Sequence, residues 1–223
     1  MTAHEKQFPT QGDLAREQLR RRGFPFFVDV QGEVSRRLTQ LPAASCAAFA
    51  ASCAERGMRW HERLPEQQRR PFTLSWRPVL DAIWNGLASS YEPSMRRVQE
   101  ALADFHGGPY DHDDGQDGPD DADEDAAAAA IYAAECFAGG DLKSADWAAG
   151  RAVDLAFRIA NEELQLDPND FVWDAAGEPM PFAKEAMHPA VQGELRRQLA
   201  DMELLERHGV TEAVLQRLRI AAA

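Results

Sequence analysis

Apolar residues recur at three- and four-residue spacing over most of the chain, which is typical of amphipathic α-helices. The clearest stripe runs from Trp76 to Leu87 and follows positions i, i+3, i+4, i+7, i+8 and i+11 without a break. Ser75 is the expected N-cap of this helix, and Pro78 falls in its first turn, where a missing N–H is tolerated. The sequence therefore predicts a helix over 76–87.

The same spacing predicts helices in most of the remaining chain. Their expected ranges are 14–22, 42–64, 95–105, 122–138, 142–166, 188–208 and 211–220. Residues 24–30 form a strand-like run, and without a partner strand they are expected to cover the helices in an extended conformation. The segment 167–187, which contains prolines and aromatic residues, is predicted to be an ordered but irregular crossover.

Composition also favours an all-α fold. The chain contains 38 alanines but only 19 valines, isoleucines and threonines, so its best helix former outnumbers the strand formers two to one. We therefore predict a single all-α domain over residues 1–223, a helical bundle of about seven to nine helices with an acidic loop at 107–121. Residues 1–40 are expected to be an N-terminal extension that packs on a helical core at 41–220.

The sequence predicts a soluble, cytoplasmic protein with no membrane partner. No apolar run approaches the roughly 18 residues of a membrane span, and residues 1–23 lack the apolar segment of a secretory signal. Cys46 and Cys53 would lie roughly 10 Å apart on one helix, which is too far for a disulfide. Both cysteines are therefore predicted to be small core residues.

Acidic residues are concentrated in one segment. The formal net charge is −13, but the stretch 111–125 alone holds nine acidic residues and no lysine or arginine. The rest of the chain has 28 acidic and 24 basic residues, which is a net charge of −4. Such a body disfavours direct nucleic-acid binding, because that requires a net basic face. The acidic segment would instead attract a basic protein and raise its association rate.

Signature motifs of common enzyme classes are absent, since the chain has no G-x-S-x-G, G-x-x-x-x-G-K-[ST], H-E-x-x-H, C-x-x-C or G-x-G-x-x-G. We therefore predict no catalytic residue, no cofactor and no enzymatic activity. Gly115 stands where an EF-hand needs a ligand oxygen, so a solvated acidic loop is favoured over a metal site. A metal-dependent hydrolase or ligand-binding protein remains the alternative, with a 106–125 cluster that includes His106, Asp111, His112, Asp113, Asp114 and Asp117.

A protein partner would need aromatic or apolar anchors as well as charge. The expected anchors are Tyr110, Phe171 and Trp173, which lie in segments without helical periodicity. The expected acidic contacts are Asp113, Asp114, Asp117, Asp120, Asp121, Asp123, Glu124 and Asp125. The same acidic run also has a simpler interpretation, as a solubilising loop followed by a favourable helix N-terminus.

Three segments together resemble the YjaG-like family of all-helical bacterial proteins of uncharacterised function. Residues 49–56, FAASCAER, resemble that family's F-A-A-x-C-x-E-R block. Residues 77–84, RPVLDAIW, resemble its R-x-x-L-D-x-I-W helix. Residues 188–198, HPAVQGELRRQ, resemble its H-P-L-x-Q-x-E-L-x-R-Q block. The resemblance implies an all-helical fold and provides no catalytic residues.

The front half is also similar to helical immunity proteins of bacterial polymorphic-toxin systems. The residues that carry this similarity are Cys53-Ala54-Glu55, Arg77-Pro78 and the alanine-rich helical pair over 126–160. The similarity implies an immunity or antitoxin-like protein that binds and neutralises a cognate toxin, for example a basic nuclease. A homo-oligomeric structural protein, such as a homodimer, is a further alternative.

Overall fold

In the computed structural model, the described residues are 11–89, 91–108, 121–166, 172–173, 179–180 and 183–220. They are almost entirely helical, as the alanine-rich composition predicts. The α-helices are α1 (Gln11–Arg21), α2 (Phe27–Leu38), α3 (Ala43–Arg63), α4 (Pro71–Ser75), α5 (Arg77–Ala88), α6 (Tyr91–His106), α7 (Ala122–Gly139), α8 (Leu142–Leu164), α9 (Ala183–Ala186), α10 (Pro189–His208) and α11 (Glu212–Ile220). The strands β1 (Val172–Trp173) and β2 (Pro179–Met180) form one short antiparallel pair.

Helix α3 lies at the centre of the bundle and packs on α5, α7, α8, α10 and α11. Its alanines and its Cys46 and Cys53 are buried, as the apolar stripe predicts. A Cβ atom added to Gly57 would lie 3.2 Å from the Cα atom of Ala126, so α3 and α7 approach each other closely. Small residues therefore determine the distance between the central helices, and the fold is a single all-α domain.

Helix α7 is buried on most of its circumference, which agrees with its alanine-rich sequence. It continues through the left-handed Gly140 into α8, and Asp141 caps α8 by accepting a hydrogen bond from the Lys143 backbone N–H. The helical hairpin predicted for this region is therefore present. In the bundle, α7 and α8 both pack along α3.

The prediction of an extended conformation over 24–30 is wrong, because α2 begins at Phe27 and continues to Leu38. Val30, Val34 and Leu38 are buried one helical turn apart, against α8 and α10. These three residues belong to the main hydrophobic core. Residues 27–38 therefore form a helix of the bundle itself and do not cover it as an extended segment.

The sequence predicts Ser75 as the N-cap of the next helix, and this prediction is wrong. Ser75 ends α4, and its hydroxyl donates a hydrogen bond to the carbonyl oxygen of Phe72 at 2.6 Å. Trp76 between α4 and α5 has helical backbone angles, so the two helices follow each other almost without interruption. The described part of the chain has nine helices of nine or more residues and two shorter ones, α4 and α9.

Residues 167–187 contain the β1–β2 pair and α9, so the described portions of this crossover are ordered elements. Buried Leu19, Phe26 and Ala186 form a second, smaller hydrophobic cluster, and α1 packs on α9 and β1. None of the described helices has both the length and the hydropathy that crossing a membrane requires.

Candidate functional site

Several of the predicted partner contacts lie outside the described residues. These are Tyr110, Asp113, Asp114, Asp117, Asp120 and Phe171. Trp173 is in β1, where its backbone is paired with that of Pro179. The predicted acidic contacts within the described residues are the four at the start of α7, and the structure divides them into surface and internal groups.

Asp121 and Glu124 form the surface group. Asp121 is the N-cap of α7, and its Oδ1 accepts hydrogen bonds from the backbone N–H groups of Asp123 and Glu124, each at 3.0 Å. The Arg70 guanidinium forms ion pairs with Asp121 and, at 3.0 Å, with Glu124. Both carboxylates remain partly exposed to solvent.

Asp123 is an internal group. Its Oδ1 lies 2.7 Å from Nε2 of the fully buried His61, and its Oδ2 lies 3.3 Å from Nε of Arg70. Burial raises the pKa of Asp123 and lowers the pKa of His61. Asp123 therefore links the start of α7 to α3, which differs from the surface contact that the sequence suggested.

Asp125 is also internal and is 0% exposed. Arg158 Nε lies 2.5 Å from its Oδ2, and Arg151 Nη1 lies 3.3 Å from its Oδ1. Burial raises the pKa of Asp125 to about 6, although both guanidinium groups act in the opposite direction. Asp125 thus joins α7 to α8 and offers no accessible surface to a partner.

Glu55 is the centre of a buried network between α3 and α5. The Arg77 guanidinium donates to both of its oxygens, at 3.0 and 2.7 Å, and the Trp84 indole N–H donates to Oε2 at 2.9 Å. Arg59 adds a fourth hydrogen bond at 2.8 Å. Four hydrogen bonds, three of them from guanidinium groups, offset the cost of removing this carboxylate, which is 0% exposed, from water.

Arg56 is the centre of a second network, between α3 and α10. Its guanidinium binds Glu194 through two nitrogens, at 2.6 and 2.9 Å, and Asp201 through a third, at 2.8 Å. The Ser52 hydroxyl donates to Asp201 at 2.6 Å. Burial raises the pKa of Asp201, and the Arg56 guanidinium opposes this rise. The adjacent thiol of Cys53 is fully buried, and burial also raises its pKa.

These two networks bring together the three segments that resemble the YjaG-like family. Glu55 and Arg56 come from the first segment, Arg77 and Trp84 from the second, and Glu194 from the third. The chemistry of the assembly is ion pairing between helices, with every charged group engaged inside the protein. The sequence contains a signal for it, since Glu55 and Arg56 interrupt an otherwise apolar and alanine-rich stripe.

An accessible surface lies along the outer side of the α7–α8 hairpin, and we call it the hairpin face. At its centre the rings of Tyr132 and Trp147 are 5.1 Å apart, and the Lys143 ammonium lies 4.4 Å from the centroid of the Trp147 ring. Trp147 is 42% exposed. Glu124 and Tyr132 are both partly exposed and lie about two helical turns apart on α7. The sequence does not single out Trp147, because this residue falls within a regular helical pattern.

The alternative metal cluster lies mostly outside the described residues. They contain no group of three or more histidine, cysteine, aspartate or glutamate side chains arranged to hold a metal ion. His106 lies 3.7 Å from Glu135, while Asp111 and His112 are outside the described residues. Cys46, Cys53 and Cys136 are free and buried, which agrees with the core position predicted for Cys46 and Cys53.

Comparisons with known proteins support the fold. No family model matches the chain, and no curated protein matches it. Among solved structures, the chain is similar to a DUF416 family protein from Shewanella baltica OS155, with a TM-score of 0.57 and 18% sequence identity. The similarity covers 84% of this chain and 92% of that chain. At this identity the likeness shows a shared all-α fold.

Proposed function

We propose that this protein is a non-enzymatic, cytoplasmic immunity or antitoxin-like protein that binds and neutralises a basic bacterial toxin. The observation that carries the proposal is the hairpin face, where the exposed Trp147 contacts the partly buried Tyr132 on the helix that begins with the partly exposed Asp121 and Glu124. Tryptophan and tyrosine provide much of the binding energy in protein interfaces, because they bury a large area with little loss of side-chain entropy.

Charge at one end of the hairpin face complements a basic partner. Asp121 and Glu124 are partly exposed there, and the sequence places five further acidic residues in 111–120, directly before α7. Such a local excess of negative charge accelerates encounter with a positively charged protein, while the aromatic pair provides the contact that slows dissociation. The similarity to helical immunity proteins points to a toxin as this partner.

The experiment that tests the proposal has two steps. The tagged protein is first used to capture partners from a lysate of its native cells, and captured proteins are identified by mass spectrometry. Each candidate is then expressed with and without this protein, and growth of the host is measured. The proposal predicts that a stoichiometric partner is toxic alone and harmless when co-expressed. A partner that shows no toxicity, or whose toxicity persists on co-expression, would reject the immunity function.

Variants locate the interface. Changing Trp147 and Tyr132 to Ala should abolish protection and weaken toxin binding by about a thousandfold, since two anchors of about 2 kcal/mol each sum to about 4 kcal/mol. The matched control is Tyr91→Ala, which removes another exposed aromatic residue, 53% exposed, from α6. Protection by the double variant equal to that of the control would exclude the hairpin face.

The steering role of the acidic segment is tested separately by association kinetics. Changing Asp113, Asp114 and Asp117 to Asn should slow association at low ionic strength and reduce its dependence on salt. The internal ion pairs of Asp123 and Asp125 remain intact in this variant. A control with the same change in net charge replaces Glu17, Glu203 and Glu212 by Gln, on other helices. Equal on-rates in both triple variants would contradict a local steering effect.

A further inference from the structure

A cavity of about 320 Å³ opens between α10 and α11, far along the sequence from the hairpin face. One wall is a helical stripe of α10 that includes Gly193, Arg196, Arg197 and Ala200, and the other wall includes Arg217 of α11. The helices are connected by Gly209, whose positive φ of 61° allows the sharp change in chain direction. The volume of the cavity falls in the range of small-molecule binding sites.

Three guanidinium groups line this one cavity, in a chain whose formal net charge is −13. Most arginines of the described chain are ion-paired, but Arg196, Arg197 and Arg217 make no ion pair with any described residue. Three positive charges that line one cavity without forming ion pairs repel one another. A bound anion would remove this repulsion and complete their hydrogen bonding.

The acidic residue that lines the cavity offsets only part of these charges. Asp201 lies on its inner wall, but its carboxylate already accepts hydrogen bonds from Arg56 at 2.8 Å and Ser52 at 2.6 Å. Arg56 is shared with Glu194, so this buried cluster keeps one net negative charge against the three positive charges of Arg196, Arg197 and Arg217. Leu204 adds an apolar contact surface beside the arginines.

We propose that this cavity binds a small phosphorylated organic molecule, with its phosphate groups held by Arg196, Arg197 and Arg217. Planar guanidinium groups bind phosphate oxygens through paired hydrogen bonds, and three of them match the charge of a diphosphate. The organic part of the ligand lies against Leu204 and the small residues of α10. This inference is independent of toxin binding, because the cavity and the hairpin face share no residue.

The test is calorimetric titration of the full chain with two probes, sodium pyrophosphate and ADP. The wild-type protein is expected to bind both probes, and ADP more tightly because of its apolar contacts. Changing Arg197 and Arg217 to Gln should weaken both interactions about tenfold or more. The matched control changes Arg96 and Arg97 to Gln, an exposed arginine pair on α6, and should bind as the wild type does.

A second variant separates binding in the cavity from general attraction to a positive surface. A Cβ atom added to Gly193 has no atom within 4 Å, so Gly193→Leu should fold normally while filling the cavity. It leaves every charge in place and should weaken ADP binding. The proposal is overturned by a wild type that binds neither probe. It is equally overturned if the Arg96 and Arg97 control loses as much affinity, or if Gly193→Leu retains full affinity for ADP.

Discussion

Glu55 and Arg56 are adjacent on α3, yet each is the centre of a different buried ion-pair network. Successive side chains on a helix point about 100° apart, so Glu55 reaches Arg77 and Trp84 of α5 while Arg56 reaches Glu194 of α10. Two neighbouring residues of opposite charge thereby connect the central helix to two sides of the bundle. The pattern explains why both charges are placed within an otherwise apolar helix.

Changing Glu55 to Gln should destabilise the protein by about 3–5 kcal/mol. The amide keeps the shape but cannot compensate the buried charge of Arg77, and breaking one side of a buried ion pair typically has an effect of this size. The measurement is the free energy of unfolding in urea. Glu203→Gln, which removes an exposed pair with Arg207, is the control and should change this free energy by less than about 1 kcal/mol. Equal losses would show that the Glu55 network contributes no more than a surface pair.

Changing Arg56 to Leu should produce a stability deficit that depends on pH. Without the guanidinium, the carboxylates of Glu194 and Asp201 are buried with no cation, and the pKa of Asp201, which burial already raises, rises further. The folded variant then binds more protons than the unfolded chain, and its free energy of unfolding increases as the pH falls. We expect a deficit of about 3–5 kcal/mol at neutral pH that becomes smaller in mildly acidic buffer.

Urea unfolding of both proteins at neutral and mildly acidic pH checks this expectation. Arg207→Leu is the matched control, because its partner Glu203 is 52% exposed and stays solvated without the arginine. The control should therefore show no recovery on acidification. A deficit of Arg56→Leu that is the same at both pH values would mean that Glu194 and Asp201 are not the source of the instability.

The positions of most helices could be predicted from the sequence, but α2 could not. The stripe from Val79 to Leu87 is broad and unbroken, and the structure has a helix over Arg77–Ala88. In α2, by contrast, the buried residues Val30, Val34 and Leu38 occur only once per turn. The segment before them is rich in aromatic and β-branched residues, which favours a strand locally. Packing against α8 and α10 outweighs that local preference.

The ion-pair networks were predictable only in part. Glu55 and Arg56 are conspicuous in the sequence, but their partners Arg77 and Glu194 are 22 and 138 residues away. Chain spacing alone cannot select them among many other charged residues. The resemblance to the YjaG-like family singled out the same three segments, and the structure gives these segments a shared physical role in joining helices. Trp147 was missed because a regular helical position does not reveal whether it faces solvent.

Asp125 should make the protein less stable as the pH rises from about 4 to about 6. Its pKa is raised to about 6 in the folded state, so in this range the folded protein holds a proton that the unfolded chain has lost. This one group therefore lowers the free energy of unfolding by up to about 3 kcal/mol across the interval. In Asp125→Asn this contribution is absent. Urea unfolding between pH 4 and 7 measures the difference, and parallel pH profiles of the two proteins would contradict it.

Two helical glycines should respond oppositely to the same substitution by alanine. A Cβ atom added to Gly86 of α5 would lie 2.5 Å from Cζ of Phe137 and 2.9 Å from Cβ of Ser94, so α5, α6 and α7 would have to move apart. Gly86→Ala should therefore lower the free energy of unfolding by about 1–3 kcal/mol, as overpacked cores do. Gly150 of α8 has no atom within 4 Å of an added Cβ. Gly150→Ala should raise the free energy of unfolding by about 0.5–1 kcal/mol, because alanine has a higher helix propensity than glycine.

Thermal and urea unfolding of both alanine variants check the pair together. Because the chemical change is identical, any general effect of replacing glycine by alanine on the unfolded chain is shared, and the difference reports the space available at each site. A stabilised Gly86→Ala protein would mean that Phe137 swings away at little cost and that α5 and α7 are not in tight contact there. A destabilised Gly150→Ala protein would mean that the added methyl group meets a neighbouring atom, so that this side of α8 is not open to solvent.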